Sequence, residues 1–203
     1  MRRSRNRTDA GQAFPIYITV VAGLLFLAFA YLAVGQAAAN RNGAQTAADA
    51  AALAAAQDTR DQLADMWVKD LLDPTRWQDI FDGNVQGVVD SCWRAEELAA
   101  QNDAGNVQCD PAGPLSYTVT LRTNKSVGDS IVPGTEDRRS TASATAVIEP
   151  LCLPGADAGD DVLPQLNCED NKNWDLDPDD PAALPKPEDL FDVHLADGPA
   201  NDE

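Results

Sequence analysis

Histidine, aromatic residues and basic charge are the scarce commodities of this 203-residue chain. One histidine, His194, is present, which excludes a His-based metal site. Aromatic residues make up 6%, too few for a large, densely packed core. Fifteen Lys and Arg stand against 33 Asp and Glu, giving a formal charge of −18. That excludes a broad nucleic-acid-binding surface, which needs cations to neutralise phosphates. The sequence assembles no nucleophile, acid pair or oxyanion motif, so neither an enzymatic activity nor a cofactor is expected.

What is present is strongly polarised. Residues 1–12 hold Arg2, Arg3, Arg5 and Arg7 against Asp9, a net of +3, so the remainder carries −21. Between these regimes lies AFPIYITVVAGLLFLAFAYLAVG, residues 13–35, without a single charge. As a helix rising 1.5 Å per residue it spans about 35 Å, enough to cross a hydrocarbon core of about 30 Å. The expected lipid-facing anchor includes Ala13, Ile16, Val20, Leu24, Leu27, Tyr31 and Val34. The stretch exceeds the 7–15 apolar residues of a secretory signal, which favours a retained anchor over a cleaved leader, although Ala37-Ala38-Ala39 offers small residues for cleavage. The arginines before it predict a cytoplasmic N-terminus and an exported body.

An alanine-rich run follows, with 12 alanines in residues 37–56. Alanine has the highest helix propensity, so a helix is predicted from residue 36 to about 73, where Pro74 stops it. Its small side chains let another backbone approach closely. The order of the pieces is informative: Asp9-Ala10-Gly11-Gln12, one apolar span, then AQTAADAAALA at residues 44–54. This resembles the N-terminal segment of the TadE/TadG-like proteins of Flp (tight-adherence) pilus assembly, over about residues 8–57. The resemblance implies a membrane protein of a pilus or secretion apparatus. The alanine run itself reads either as a strong helix leading into the domain or, favoured by this order of pieces, as a packing surface for partner helices with Ala47, Ala48, Asp49, Ala51, Ala52 and Leu53 as the helix-packing motif. Pilin-like members cleaved by a prepilin peptidase carry a glutamate soon after the cleavage glycine. Here Gly11 is followed by Gln12, Ala13, Phe14, Pro15 and Ile16, which favours a retained, TadG-like anchor. The metal-adhesion pattern Asp-x-Ser-x-Ser of some larger relatives is absent.

Residues 74–152 read as a small α+β region beyond the membrane. Leu63, Met66, Trp67 and Leu71 recur at helical spacing, with Asp65 and Lys69 four residues apart. Trp77, Ile80 and Phe81 predict a short helix ending at Gly83. Val85, Val88, Val89, Cys92 and Trp93 suggest a helical face running to Gln101. Residues 115–122 alternate strictly and predict a strand, as do residues 140–149, with Ala142, Ala144, Ala146 and Ile148 on one face. A weaker strand is suggested near Ile131-Val132. Cys92, Cys109, Cys152 and Cys168 lie on the exported side and lack metal-ligand spacing, so disulfides are expected. Proximity favours Cys92–Cys109 and Cys152–Cys168, but three pairings remain open.

Residues 153–203 form an acidic, proline-rich tail with 15 Asp and Glu from Pro154 onward, expected to be mostly disordered. Asn171, Asn173, Asp175, Asp177 and Asp179 alternate and offer oxygens for Ca²⁺. An EF-hand glycine and terminal glutamate are missing and Pro178 interrupts, so a solvated tail is the stronger reading. His194 reads as a surface residue, and Asn124-Lys125-Ser126 matches a glycosylation sequon. Two functions compete: a membrane-anchored assembly component whose partners are lipid and other pilus or secretion proteins, and an envelope module whose acidic tail captures cations or a basic partner.

Overall fold

The computed structural model describes residues 13–126, 137–155, 163–169 and 172–196. The basic N-terminus, the strand suggested at Ile131-Val132 and Asn171 lie outside the described residues. The class is α+β, with a long apolar N-terminal helix leading into a small helix-and-sheet body.

The first helix, α1, runs unbroken from Ala13 to Lys69, 57 residues and about 85 Å at 1.5 Å per residue. No residue from Phe14 to Ala39 is buried. From Ala44 onward one side of the helix is covered, through Ala44, Ala48, Ala51, Ala55, Thr59, Leu63 and Trp67. The spacing of three to four residues is that of a helix lying on a surface. Side-chain size grows along this stripe, from alanine near the rod to leucine and tryptophan at the far end.

The surface it lies on is an antiparallel sheet in the order β1-β2-β3-β7. Its strands are β1 (Ala104–Gly113), β2 (Ser116–Thr123), β3 (Thr141–Pro150) and β7 (Phe191–Leu195). Val119 stands opposite Ala144, and Tyr117 opposite Ala146. The inward residues of β2, Tyr117, Val119 and Leu121, are buried together with Ala146 and Ile148 of β3. Period-two alternation therefore predicts these two strands and their buried faces. The outer face carries hydroxyls, with Thr118 paired to Thr145 at 2.9 Å and Thr120 to Ser143 at 3.0 Å.

A short 3-10 turn at Pro74–Arg76 leads into α2 (Trp77–Phe81), and α3 spans Cys92–Gln101. Gly83, at φ +71, ends α2 region tightly: a Cβ there would meet Leu115 Cδ2 and Pro114 Cβ at 2.9 Å. The helical face expected from Val85 is a correction. Val85, Val88 and Val89 lie outside any helix, and α3 begins at Cys92, where Asp90 Oδ1 accepts from the Cys92 N–H at 2.9 Å. β-Branched valines have weak helix preference, and the Asp90-Ser91 pair supplies a start signal that outweighs their spacing. Asp65 and Lys69 form no ion pair among the described residues.

The tail differs most from the sequence expectation. After a second sheet of β4 (Cys152–Pro154), β5 (Leu166–Cys168) and β6 (Asn173–Trp174), the chain makes a short helix, α4 (Pro187–Leu190). It then returns as β7, pairing with β3 so that Phe191 faces Pro150 and Leu195 faces Ala146. The sheet thus crosses the boundary drawn at residue 152. Five residues, Phe191-Asp192-Val193-His194-Leu195, alternate apolar and polar. Leu190 and Phe191 are fully enclosed, enough to hold this stretch in an otherwise acidic segment.

Aromatic side chains are scarce, but four of them form two ring pairs toward the end of the body farthest from the rod. The rings of Trp67 and Trp77 lie 5.6 Å apart, and those of Phe81 and Phe191 5.4 Å apart. Tilted pairs of this kind add about 0.5–1.5 kcal/mol each beyond area burial.

Candidate functional site

The candidate functional residues form a rod, a clamp and a covered face on the single helix α1. Along the rod Ile16, Val20, Leu24, Leu27, Tyr31 and Val34 are all exposed, Leu24 at 62% and Tyr31 at 83%. Leu25, Phe26, Phe29 and Leu32 are exposed on the other sides. A helix apolar all round and covered by no described part of the fold is suited to lipid, not water. This is one helix long and apolar enough to cross a membrane. Pro15 falls in its first turn, and Thr19 Oγ1 donates back to the Pro15 carbonyl at 2.8 Å, so the polar hydroxyl is satisfied within the helix.

The clamp is Asn40, five residues beyond Gly35. Its Nδ2 donates to the carbonyls of Lys125 (3.1 Å) and Ser126 (3.3 Å), just past β2. Its Oδ1 accepts from the Ser140 N–H at 3.2 Å, just before β3, and from Thr123 Oγ1 at 3.3 Å. One amide thereby ties α1 to the ends of both central strands where the rod emerges. The sequence holds no signal for this role, since Asn40 reads as a break in an alanine run.

The covered face is the alanine run. Ala47, Ala48, Ala51 and Ala52 have no exposed surface; the body of the chain itself encloses them. Leu53 is half-buried against the same core, and Asp49 accepts from Gln45 Nε2 at 2.7 Å at its edge. This stretch of α1, read from the sequence as a helix leading into the domain or as a packing surface for partner helices, is covered within the chain, α1 lying against the sheet and α3. Alanine suits this use for the same reason: it lets a second backbone come close.

A buried polar cluster farther along α1 escapes sequence reasoning altogether. Thr59 Oγ1 lies 2.8 Å from both Ser91 Oγ and Tyr117 Oη. Ser91 Oγ donates to Asp58 Oδ2 at 2.8 Å, and Gln62 exchanges hydrogen bonds with the Val89 backbone, its Oε1 accepting at 2.7 Å and its Nε2 donating at 3.1 Å. These bonds pin the non-helical segment before α3 to α1. His194 is remote in role: exposed on β7, its Nδ1 lies 2.9 Å from Asp192 Oδ2.

Both disulfides join sequence neighbours: Cys92–Cys109 links α3 to β1, and Cys152–Cys168 links β4 to β5. The loops they close have sequence separations of 17 and 16. Each contributes about 3 kcal/mol in the chain-entropy view. Cys92→Ser with Cys109→Ser is expected to lower the unfolding free energy of the body by about 3 kcal/mol, read as a lower urea midpoint with a steeper slope because the unfolded chain is less constrained. Of the acidic alternation, Asp177 Oδ1 is engaged by the Asp179 N–H at 2.9 Å. Among the described residues no three His, Cys, Asp or Glu side chains converge as metal ligands.

The rod, the clamp and the alanine face all lie in one stretch. Residues 11–58 match the Tad family, Flp pilus-assembly TadE/G-like. The TadE/G-like segment thus takes in the lipid-suited rod, Asn40 and the alanine face as far as Asp58, and stops before Leu63 and Trp67. It supports a pilus-assembly component, a non-catalytic kind of protein. No curated protein and no solved structure matches the chain.

Proposed function

We propose that the chain is a membrane-anchored, non-enzymatic component of a Flp/Tad-type pilus assembly or secretion apparatus, with its N-terminus in the cytoplasm and its body on the far side. The observation that carries this reading is the bare apolar rod of a TadE/G-like segment running without interruption into the core helix of a disulfide-bonded body. The four arginines before the rod support the orientation by the positive-inside rule. Disulfides support it independently, because they persist in oxidising compartments. Since the alanine face is filled from within, contact with other assembly proteins falls to the remaining surface of the body and to the lipid-facing rod.

The alternative, an acidic tail free to capture cations or a basic partner, is less favoured because residues 187–190 form a helix and residues 191–195 a strand of the sheet. Truncation at residue 155 would remove an edge strand as well as charge.

The test is the fate of the full chain in cells. It is expected to stay with membranes through alkaline carbonate extraction. A C-terminal alkaline phosphatase fusion is expected to be active and a C-terminal green fluorescent protein fusion dark. Release by carbonate, or the opposite reporter pattern, defeats the proposal.

A further inference from the structure

The arginines of the described chain fall into two groups. Arg60, Arg76 and Arg94 lie away from the rod, and each has a carboxylate partner: Asp61 at 2.8 Å, Asp70 at 2.7 Å and Glu97 at 2.5 Å. Arg41, Arg122, Arg138 and Arg139 lie at the end where the rod emerges. All four are exposed, and among the described residues none has an ion-pair partner. In a chain with 33 acidic residues this separation is a property of the fold.

Asn40 fixes where the second group sits. Arg41 follows it on α1. Arg122 precedes Thr123 and Arg139 precedes Ser140, and both Thr123 Oγ1 and the Ser140 N–H donate to Asn40 Oδ1. The Lys125 carbonyl accepts from Asn40 Nδ2, while Lys125 Nζ bonds Asp103 Oδ2. Asp137, exposed beside Arg138, is the other described carboxylate of this rim. Among the described residues of this rim the four arginines and Lys125 outnumber Asp103 and Asp137. Asn40 stands about 7.5 Å along the helix from Gly35, the last residue of the apolar span. The polar layer of a bilayer leaflet is about 5–8 Å deep. With the span filling the hydrocarbon, the rim stands at the depth of the lipid phosphates.

We propose that Arg41, Arg122, Arg138 and Arg139 form a docking rim for the phosphate groups of anionic lipids in the leaflet from which the body emerges. The inference rests on the anchored reading above. Its physical basis is offset: the remainder of the body is strongly acidic and is repelled by an anionic surface, whereas each rim arginine is attracted by about fivefold in local equilibrium.

The experiment uses the full chain reconstituted into vesicles, with Asn124→Cys carrying a fluorophore and the lipid headgroups carrying a nitroxide quencher. Flotation reports anchoring, and quenching reports proximity of the rim. Quenching is expected to rise when phosphatidylglycerol replaces part of the phosphatidylcholine and to fall with added salt. The rise is expected to vanish in R41Q/R122Q/R138Q/R139Q and to survive in the matching Arg→Lys set, which keeps the charge. Equal quenching in neutral and anionic vesicles, or a rise that survives the glutamine set, overturns the rim while flotation leaves the anchor standing. Failure to float overturns the anchor, and the rim with it.

Discussion

Leucine at both Ala48 and Ala52 is expected to destabilise the body severely. Both alanines have no exposed surface, and the β2–β3 layer lies directly against this part of α1. Overfilling a close-packed contact costs about 1–3 kcal/mol per site, so the pair removes about 2–6 kcal/mol. A small domain holds about 5–15 kcal/mol in total. Urea unfolding of the detergent-solubilised full chain, followed by circular dichroism, should show a clear loss in midpoint. Ala37→Leu, on the exposed rod, should leave it unchanged. An undiminished midpoint in the double variant would mean that the alanine face is open to a partner helix and that the sheet does not rest on it.

The second large effect concerns the rod. Leu24 and Leu27 lie near the middle of the apolar span, and both are exposed. An aspartate at a helix centre costs about 2.5–3.5 kcal/mol on insertion, so Leu24→Asp with Leu27→Asp costs about 5–7 kcal/mol. The double variant is expected to move from the carbonate-resistant pellet to the supernatant. Neither position touches the body, so the thermal transition of the purified, oxidised body should be retained. Membrane retention equal to the parent would show that the rod is held by something other than its apolar surface.

The parts of the fold legible in the sequence are those with a strong local period. The uncharged span, the alanine helix, and the alternation in β2 and β3 each declare themselves within ten to twenty residues. β1 did not, because Gly105, Asp110 and Pro111 dilute its pattern, and its course includes an irregularity after Gly105 with Asn106 at positive φ. β7 did not, because five alternating residues are lost in an acidic, proline-rich context and acquire meaning only beside β3. The same division applies to the site. The rod is a composition and can be read directly. Asn40 and the Thr59–Ser91–Tyr117 cluster are juxtapositions of residues 26 to 100 positions apart, and the unpaired arginines come from three separate segments, which no local pattern encodes. The alanine face was visible, but its occupant was not: small residues signal close approach without saying what approaches.

One consequence follows from α1 having no break between the span and Trp67. The segment from Asn40 to Lys69 is a lever about 45 Å long, pivoting where it leaves the bilayer. Transmembrane helices tilt by about 20° on average, and a change of that size would swing the tryptophan pair through about 15 Å. Altered bilayer thickness would then be transmitted as lateral displacement of the distal surface, with no joint in the backbone to absorb it.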